Sequence, residues 1–301
     1  MSIFFCHKFD GGKMFPIPPH PLLYRDFVKK ALEEDLGHGD VTTDTLISPE
    51  EKGKGLIRAK EDLIICGIPI ARIVFKEIDP DLAFIPLKRD AEKIKRGEVV
   101  AEVCGKITSI LKGERVCLNF LQHLSGVATY TYKFVEKIKG LPVKIVDTRK
   151  TLPGFRVLEK YAVLCGGGRN HRFGLSDGVL IKDNHIKACG SVKKAIKRAK
   201  EYLPHVYLIE IEVSNLEELK EAIEAGAHAL LLDNMDVKIL KEAVALAKSL
   251  NPYILLEASG GINLENVRQI AETGVDIISI GKLTHSAPAV DLNLKIVEVF
   301  S

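Results

Sequence analysis

The chain has 301 residues, of which 46% are hydrophobic and 28% charged, an ordinary balance for a globular protein. Its 43 Lys and Arg against 40 Asp and Glu give a net charge of +3, too small to favour a nucleic-acid-binding protein. No apolar run approaches the length of a membrane span, and six cysteines without a C-x-x-C pair argue against a disulfide framework and favour a cytoplasmic protein.

The first part of the chain predicts a mixed α+β domain. Residues 1–19 are rich in Gly and Pro, and we expect a flexible arm there, followed by the domain itself over 20–126. Its helices and strands are expected near residues 22–36, 55–59, 63–66, 68–78 and 97–105. A helical pattern then runs over 108–139, and Gly113 and Gly126 are expected to interrupt it.

Residues 127–287 predict a second domain of alternating strands and helices. Apolar strands are expected at 143–146, 179–181, 206–211, 229–232, 254–256 and 277–280. The residues at the ends of the later strands, Glu212, Asp233, Glu257 and Gly281, are 21, 24 and 24 positions apart. This regular spacing indicates either a parallel α/β barrel or a doubly wound sheet. The tail, 288–301, is expected to pack back on the first domain.

Positive charge is concentrated in the middle of the chain. Residues 144–187 contain nine Lys or Arg against four Asp or Glu. The cationic side chains at strand ends or in the Gly-rich turn are Arg149, Lys150, His171, Arg172 and Lys182. The carboxyl ends of parallel strands share one rim, and cations gathered there need an anion. The pattern therefore favours a site for a ligand with several negative charges over a solvated surface loop.

Two acidic residues and two Gly-containing loops complete the predicted site. Glu212 and Asp233 could bind sugar hydroxyls or a Mg²⁺ that bridges phosphates, or they could be solvated acids; Glu257 has the same placement but is a weaker candidate. The loops 257–263 and 279–288 offer backbone N–H groups to a phosphate, and the first is expected to lead directly into a helix. Ordinary helix capping is the alternative.

Other reaction classes fit the sequence less well. It contains no G-x-S-x-G elbow, no zinc-spaced His/Cys set, no G-x-x-x-x-G-K-[ST] loop and no G-x-G-x-x-G fingerprint. A Schiff-base lysine at Lys182 stays open, because aldolases with a barrel fold use a strand-end lysine.

Nine segments, spread over residues 22–293, resemble the quinolinate phosphoribosyltransferase family (carboxylating nicotinate-nucleotide pyrophosphorylases). In chain order they are EDLGHGDVTTD, ERVCLNFLQHLSGVAT, DTRKTLPG, GGGRNHR, DGVLIKDNH, EVSN, LLDN, EASGGI and SIGKLTHSAP. The resemblance implies an N-terminal α/β sandwich domain and an open α/β barrel of seven strands. It also implies an enzyme that transfers phosphoribosyl from phosphoribosyl pyrophosphate (PRPP) to quinolinate and releases pyrophosphate and CO₂, giving nicotinate mononucleotide for NAD biosynthesis.

The resemblance also implies the residues of the site. The quinolinate carboxylates would be bound by Arg115, Arg149, His171, Arg172 and Lys182. PRPP would be bound by Thr148, Lys150, Glu212, Asp233, Ser259, Gly260, Gly261, Ile280, Gly281, Lys282 and His285. Of these, Lys150, Glu212 and Asp233 are the implied catalytic residues. Mg²⁺ would be held mainly by PRPP, with Glu212 and Asp233 nearby.

The resemblance further implies a homodimer, or a hexamer built as a trimer of dimers, in which Arg115 reaches the active site of the neighbouring subunit. Three alternatives stay open: a related barrel pyrophosphorylase with a different acceptor, a barrel lyase that uses Lys182, and a non-catalytic phosphate-ligand-binding protein. The full set of Arg115, Arg149, Arg172 and Lys182 favours quinolinate as the acceptor.

Overall fold

The computed structural model describes residues 7–10 and 13–300, with side chains from Pro16 onward. Its contacts divide the chain into two units. The N-terminal unit comprises the described residues up to Tyr132 together with Thr151–Gly167 and the residues from Lys282 onward, and the sheet unit comprises Lys133–Lys150 and Gly168–Gly281. None of the described helices is both long enough and apolar enough to cross a lipid bilayer.

The elements follow the chain in an α/β order. The strands are β1 (His7–Asp10), β2 (Lys13–Pro16), β3 (Lys52–Ala59), β4 (Leu63–Ile64), β5 (Ala83–Pro86), β6 (Lys93–Ile94), β7 (Val99–Lys106), β8 (Lys144–Val146), β9 (Val179–Ile181), β10 (Ile209–Val213), β11 (Ala229–Asp233), β12 (Leu255–Ser259), β13 (Ile277–Ser279) and β14 (Leu292–Phe300). The helices are a 3-10 turn (Pro21–Leu23), α1 (Arg25–Leu36), α2 (Val41–Leu46), α3 (Ile68–Ile78), α4 (Ile107–Lys137), α5 (Arg156–Cys165), α6 (Asp183–Cys189), α7 (Val192–Tyr202), α8 (Leu216–Ala225), α9 (Val237–Leu250), α10 (Val267–Ala271) and α11 (Lys282–His285).

The N-terminal unit contains an antiparallel sheet in the order β14-β3-β7-β5. Alternate residues of β3 are buried, the two-residue period of a strand with one face on a core. The C-terminal strand β14 pairs along β3, with Leu292 opposite Ala59. Residues 7–10 and 13–16, where we expected a flexible arm, form an antiparallel hairpin with His7 opposite Pro16; the rest of the arm up to residue 12 lies outside the described residues.

Helix α4 is continuous, and the expected interruptions at Gly113 and Gly126 do not occur. A Cβ on Gly113 would lie 2.9 Å from the ring of Phe75, and one on Gly126 would lie 2.3 Å from the carbonyl oxygen of Pro288. Both distances are shorter than side-chain contacts allow. These glycines therefore let other parts of the unit approach the helix closely, and helical hydrogen bonding outweighs their low intrinsic propensity.

The sheet unit contains six parallel strands in the order β8-β13-β12-β11-β10-β9. A single parallel bridge between Val146 and Arg169 adds a seventh position beside β8, where the resemblance implied a seventh strand. Among the described residues no ladder joins β9 to that bridge, so the sheet is open between them. Residues 151–167, which we expected in the barrel domain, group with the N-terminal unit.

The strands lie close to the predicted positions, with one shift that matters for the site. Residues 206–208 are outside β10, and Val206 is 71% exposed. The strand instead extends to Val213, with an alternating pattern of burial. Glu210 and Glu212 therefore lie within the strand, two residues apart, and project from the same face.

Candidate active site

One cavity of about 520 Å³ lies within the sheet unit and gathers most of the predicted site residues. It is lined by Thr148, Arg149, Lys150, His171, Arg172, Leu180, Lys182, Glu212, Leu231, Asp233, Asn234, Glu257, Ser259 and Ser279. Their positions in the sheet explain why residues far apart in sequence meet. Asp233, Ser259 and Ser279 are in register on three neighbouring parallel strands, so their side chains form one row across the sheet.

The cationic loop is fastened to the end of β8 by Asp147, which is fully buried. Its carboxylate accepts the backbone N–H of His171 at 2.9 Å and the side-chain amide of Asn170. The backbone of Arg169 forms hydrogen bonds with Ile145 and Asp147 in the same place. These bonds hold His171 and Arg172 beside the residues that follow β8. Composition alone gave no reason to single out Asp147.

The guanidinium groups of Arg149 and Arg172 lie close enough to affect each other. Burial, with a smaller contribution from the charge of Arg149, lowers the pKa of Arg172. One guanidinium nitrogen of Arg172 donates to the carbonyl of Gly178 at 2.8 Å, which fixes the direction of the side chain. Two forked cations held side by side at a half-buried cavity are suited to an anion with two acidic groups.

His171 is surrounded by acids that the sequence interpretation did not connect with it. Its Nε2 lies 3.2 Å from a carboxylate oxygen of Glu210 and 3.5 Å from one of Glu257. Burial lowers the pKa of His171, but its hydrogen bonds with both carboxylates, and their charges, outweigh burial and raise the pKa to about 10. Burial likewise raises the pKa of Glu210, and the neighbouring Glu257 adds to this.

At the more exposed end of the cavity, Lys182 and Glu212 form an ion pair of 2.7 Å between Nζ and Oε2. Asp233 ends β11, and its carboxylate accepts the side-chain amide of Asn234 at 2.8 Å. Hard oxygen ligands at such a rim suit the ribose hydroxyls and the Mg²⁺ of a phosphorylated ligand. The deeper set of His171, Glu210 and Glu257 combines an imidazole with carboxylates, a donor set that Mg²⁺ does not prefer.

The expected helix directly after the 257–261 loop is not present. Asn263 accepts backbone N–H groups of Glu265 and Asn266 and forms a turn, so α10 begins only at Val267. The loop is instead shaped by close packing: Gly260 has φ +92°, and a Cβ there would lie 2.1 Å from the side chain of Asn234. A phosphate would therefore meet the loop backbone, without the end of a long helix behind it.

Several predicted residues do not line the cavity. Gly260 and Gly261 follow Ser259, and Ile280 and Gly281 follow Ser279, all within the sheet unit. Arg115 is exposed on α4, while Lys282 and His285 begin and end α11; these three residues belong to the N-terminal unit.

Glu210 was missed from the sequence, and Glu257 was underrated. The signal for Glu210 was its position two residues before Glu212 in an alternating strand, which places both side chains on one face. Glu257 could be recognised only from the tertiary structure, because its partner His171 is 86 positions away.

Comparison with known proteins gives a consistent result. Residues 40–125 match the model of the quinolinate phosphoribosyl transferase N-terminal domain, and residues 127–295 match that of the C-terminal domain. A probable nicotinate-nucleotide pyrophosphorylase (carboxylating) of Synechocystis sp. is 43% identical over 288 residues, which cover 96% of this chain and 97% of that protein.

Solved structures agree over nearly the whole length. NadC from Streptococcus pyogenes is 38% identical, with a TM-score of 0.90, and the match covers 95% of this chain and 100% of that one. The nicotinate-nucleotide pyrophosphorylase from Francisella tularensis is 40% identical, with a TM-score of 0.88 over 92% and 97% of the two chains. The predicted fold class, an N-terminal α+β domain with an open α/β barrel, is confirmed.

Proposed function

This chain belongs to the quinolinate phosphoribosyltransferase family, and we propose that its reaction takes place in the cavity of the sheet unit. The enzyme is a carboxylating nicotinate-nucleotide pyrophosphorylase: it transfers phosphoribosyl from PRPP to quinolinate, with loss of CO₂, and forms nicotinate mononucleotide for NAD biosynthesis. The observation that carries the location is the meeting of Arg149, Arg172 and Lys182 in one cavity with Glu212 and Asp233.

The cations account for binding of the acceptor. Quinolinate carries two neighbouring carboxylates, and PRPP carries a phosphate and a pyrophosphate, so the two substrates repel each other. Arg149, His171, Arg172 and Lys182 would bind the carboxylates, with the forked guanidinium groups matching their planar shape. Holding two polyanions in contact removes much of the entropic barrier to their reaction.

The other lining residues account for binding and activation of PRPP. Lys150 and Thr148 would contact the donor, and the backbone N–H of Lys150 is held by the Thr148 hydroxyl at 3.0 Å. As the bond to pyrophosphate weakens, the ribose carbon gains positive charge. The carboxylates of Glu212 and Asp233 would bind its hydroxyls and stabilise that charge, while the pyridine nitrogen attacks from the opposite face. Ser259, Gly260 and Gly261, with Ile280, Gly281, Lys282 and His285, would receive the phosphate.

We propose Mg²⁺ as the cofactor, carried mainly by the pyrophosphate of PRPP. The carboxylates of Glu212 and Asp233 at the rim suit a hard cation that arrives with its ligand. When bound, Mg²⁺ neutralises charge on the leaving pyrophosphate.

The lysine-lyase alternative is weakened by the environment of Lys182. A Schiff-base lysine must be a neutral amine to attack a carbonyl. Here Lys182 lies 2.7 Å from the Glu212 carboxylate, with 46% of its side chain exposed, an arrangement that stabilises the ammonium form. Borohydride trapping with substrate should therefore label nothing at this residue.

The proposed function is tested by an assay of the purified protein with quinolinate, PRPP and Mg²⁺. We expect nicotinate mononucleotide and CO₂ in equal amounts, no product when a chelator removes Mg²⁺, and no product when nicotinate replaces quinolinate. PRPP binding without any product from quinolinate would mean that the acceptor has been assigned wrongly.

We further propose that the active unit is a homodimer, in which the exposed Arg115 completes the site of the partner subunit. Mixing subunits of an Arg115→Ala variant with those of a Lys182→Ala variant should then restore activity, because one site in the mixed dimer keeps both residues. The expected recovery approaches one quarter of the wild-type value after subunit exchange. Mixed subunits that co-purify as dimers but stay inactive would contradict the shared site.

A further inference from the structure

A buried acidic cluster lies at the base of the cavity, and the steps described above give it no role. It consists of His171, Glu210 and Glu257, on the β8-bound loop, β10 and β12. Glu257 is only 2% exposed, and its Oε1 has no hydrogen-bond partner among the described residues. His171 and Glu257 line the cavity, and Glu210 contacts His171.

The charges around this cluster favour retention of a proton. Two carboxylates lie within 3.5 Å of one imidazole nitrogen, so full ionisation of both acids would leave buried negative charge beside a neutral ring. Asp147 faces the same residue through the backbone N–H of His171, while Arg149, Arg172 and Lys182 line the cavity above. Groups this close titrate as one unit.

We propose that this cluster is the acid that protonates C2 of the pyridine ring after the 2-carboxylate leaves as CO₂. His171 and Glu257 would be the catalytic residues at the cavity, and Glu210 a positioning residue that acts through His171. The inference rests on the proposed function and deepens it, because it assigns the decarboxylation step to named groups.

The step balances in atoms and electrons. The bond between C2 and the carboxylate carbon breaks, CO₂ departs, and the electron pair stays on C2, next to the positively charged ring nitrogen. The bond between the cluster and its proton then breaks, and the proton forms the new C2–H bond. One proton is consumed in each turnover, and solvent returns it to the cluster after the product leaves. A donor inside a cavity also prevents recapture of CO₂ by the carbanion.

The direction of the pH dependence follows from the pKa of His171. Its folded-state pKa is raised from 6.5 to about 10, so the protonated cluster is fully present below about pH 6.5 and is lost as the pH rises through 10. Removing one carboxylate weakens the attraction for the proton. The loss should then begin at lower pH.

The test compares Glu257→Gln with the wild-type enzyme in single-turnover assays between pH 6 and pH 10, following pyrophosphate and CO₂ separately. In the wild type we expect both products together through neutral pH. In Glu257→Gln, CO₂ should lag behind pyrophosphate as the pH rises, by tenfold or more at pH 9, on the order of a general acid's contribution. Phosphoribosylated quinolinate should accumulate during the lag. Glu210→Gln should shift the profile in the same direction.

A second readout does not depend on activity. The ring ¹⁵N shift of His171, assigned by comparison with His171→Gln, should report earlier proton loss in Glu257→Gln than in the wild type. The matched control is Glu159→Gln, since Glu159 is also fully buried and paired with a histidine, His123, at 2.8 Å, but lies in the N-terminal unit. That variant should lose stability without moving the CO₂ profile.

Two results would overturn the proposal: an equal loss of both products at every pH, or an unchanged titration of His171 in the folded variants. A wild-type enzyme that makes neither product would instead contradict the proposed function, and the histidine titration would still report whether Glu257 retains the proton.

Discussion

Arg172→Ala is expected to lower kcat/KM for quinolinate by about 10²–10³-fold, on the order of the 3–4 kcal/mol that loss of a charge-assisted, forked contact to an anion costs. The side chain is half-buried in the cavity and held in place by its bond to the carbonyl of Gly178. Its loss removes a donor pair that water replaces poorly. Because PRPP binds elsewhere in the cavity, its KM should change little. Steady-state kinetics with each substrate varied in turn measures both values.

Two further variants sharpen this prediction. Arg172→Lys keeps the charge but loses the fork, so it should recover only part of the lost efficiency. Arg198→Ala removes an arginine from α7, outside the cavity, and should leave both KM values unchanged. Unchanged quinolinate kinetics in a folded Arg172→Ala enzyme would remove this residue from the acceptor site.

Asp233→Asn is expected to lower kcat by about 10²–10³-fold, on the order of the 3–4 kcal/mol attributed to one preorganised group that stabilises transition-state charge. The substitution keeps the shape of the side chain and its position in the row with Ser259 and Ser279. It removes the negative charge that would face the ribose as the bond to pyrophosphate breaks. The effect should fall mainly on kcat, because the positive charge on the sugar develops only in the transition state.

The control for this variant is Asp236→Asn, three positions farther along. Asp236 caps α9 by accepting the backbone N–H of Ile239 at 2.9 Å, and it does not line the cavity. Its substitution should cost up to about 1 kcal/mol of stability and leave kcat unchanged. Wild-type kcat in Asp233→Asn would show that the carboxylate charge plays no part in the reaction.

The strands of the sheet unit were largely predictable, because short apolar runs between amphipathic helices have few alternative structures. Predictions failed where tertiary contacts overrode local preference. Gly113 and Gly126 lie inside one long helix because the unit packs against them at distances that no side chain would allow. The seventh strand expected from the resemblance is a single bridge at Arg169, a pairing that no local pattern indicates.

The sequence by itself determined the chemistry of the site: cations and carboxylates at strand ends identify a rim that binds anions, because parallel strands bring their carboxyl ends together. It also determined the family, since nine segments in order carry the resemblance. Only the tertiary structure decided which acids surround which cations. Lys182 pairs with Glu212, while His171 lies between Glu210 and Glu257. Such pairings depend on strand order and on distances across the cavity, whereas sequence spacing specifies only neighbours along one element.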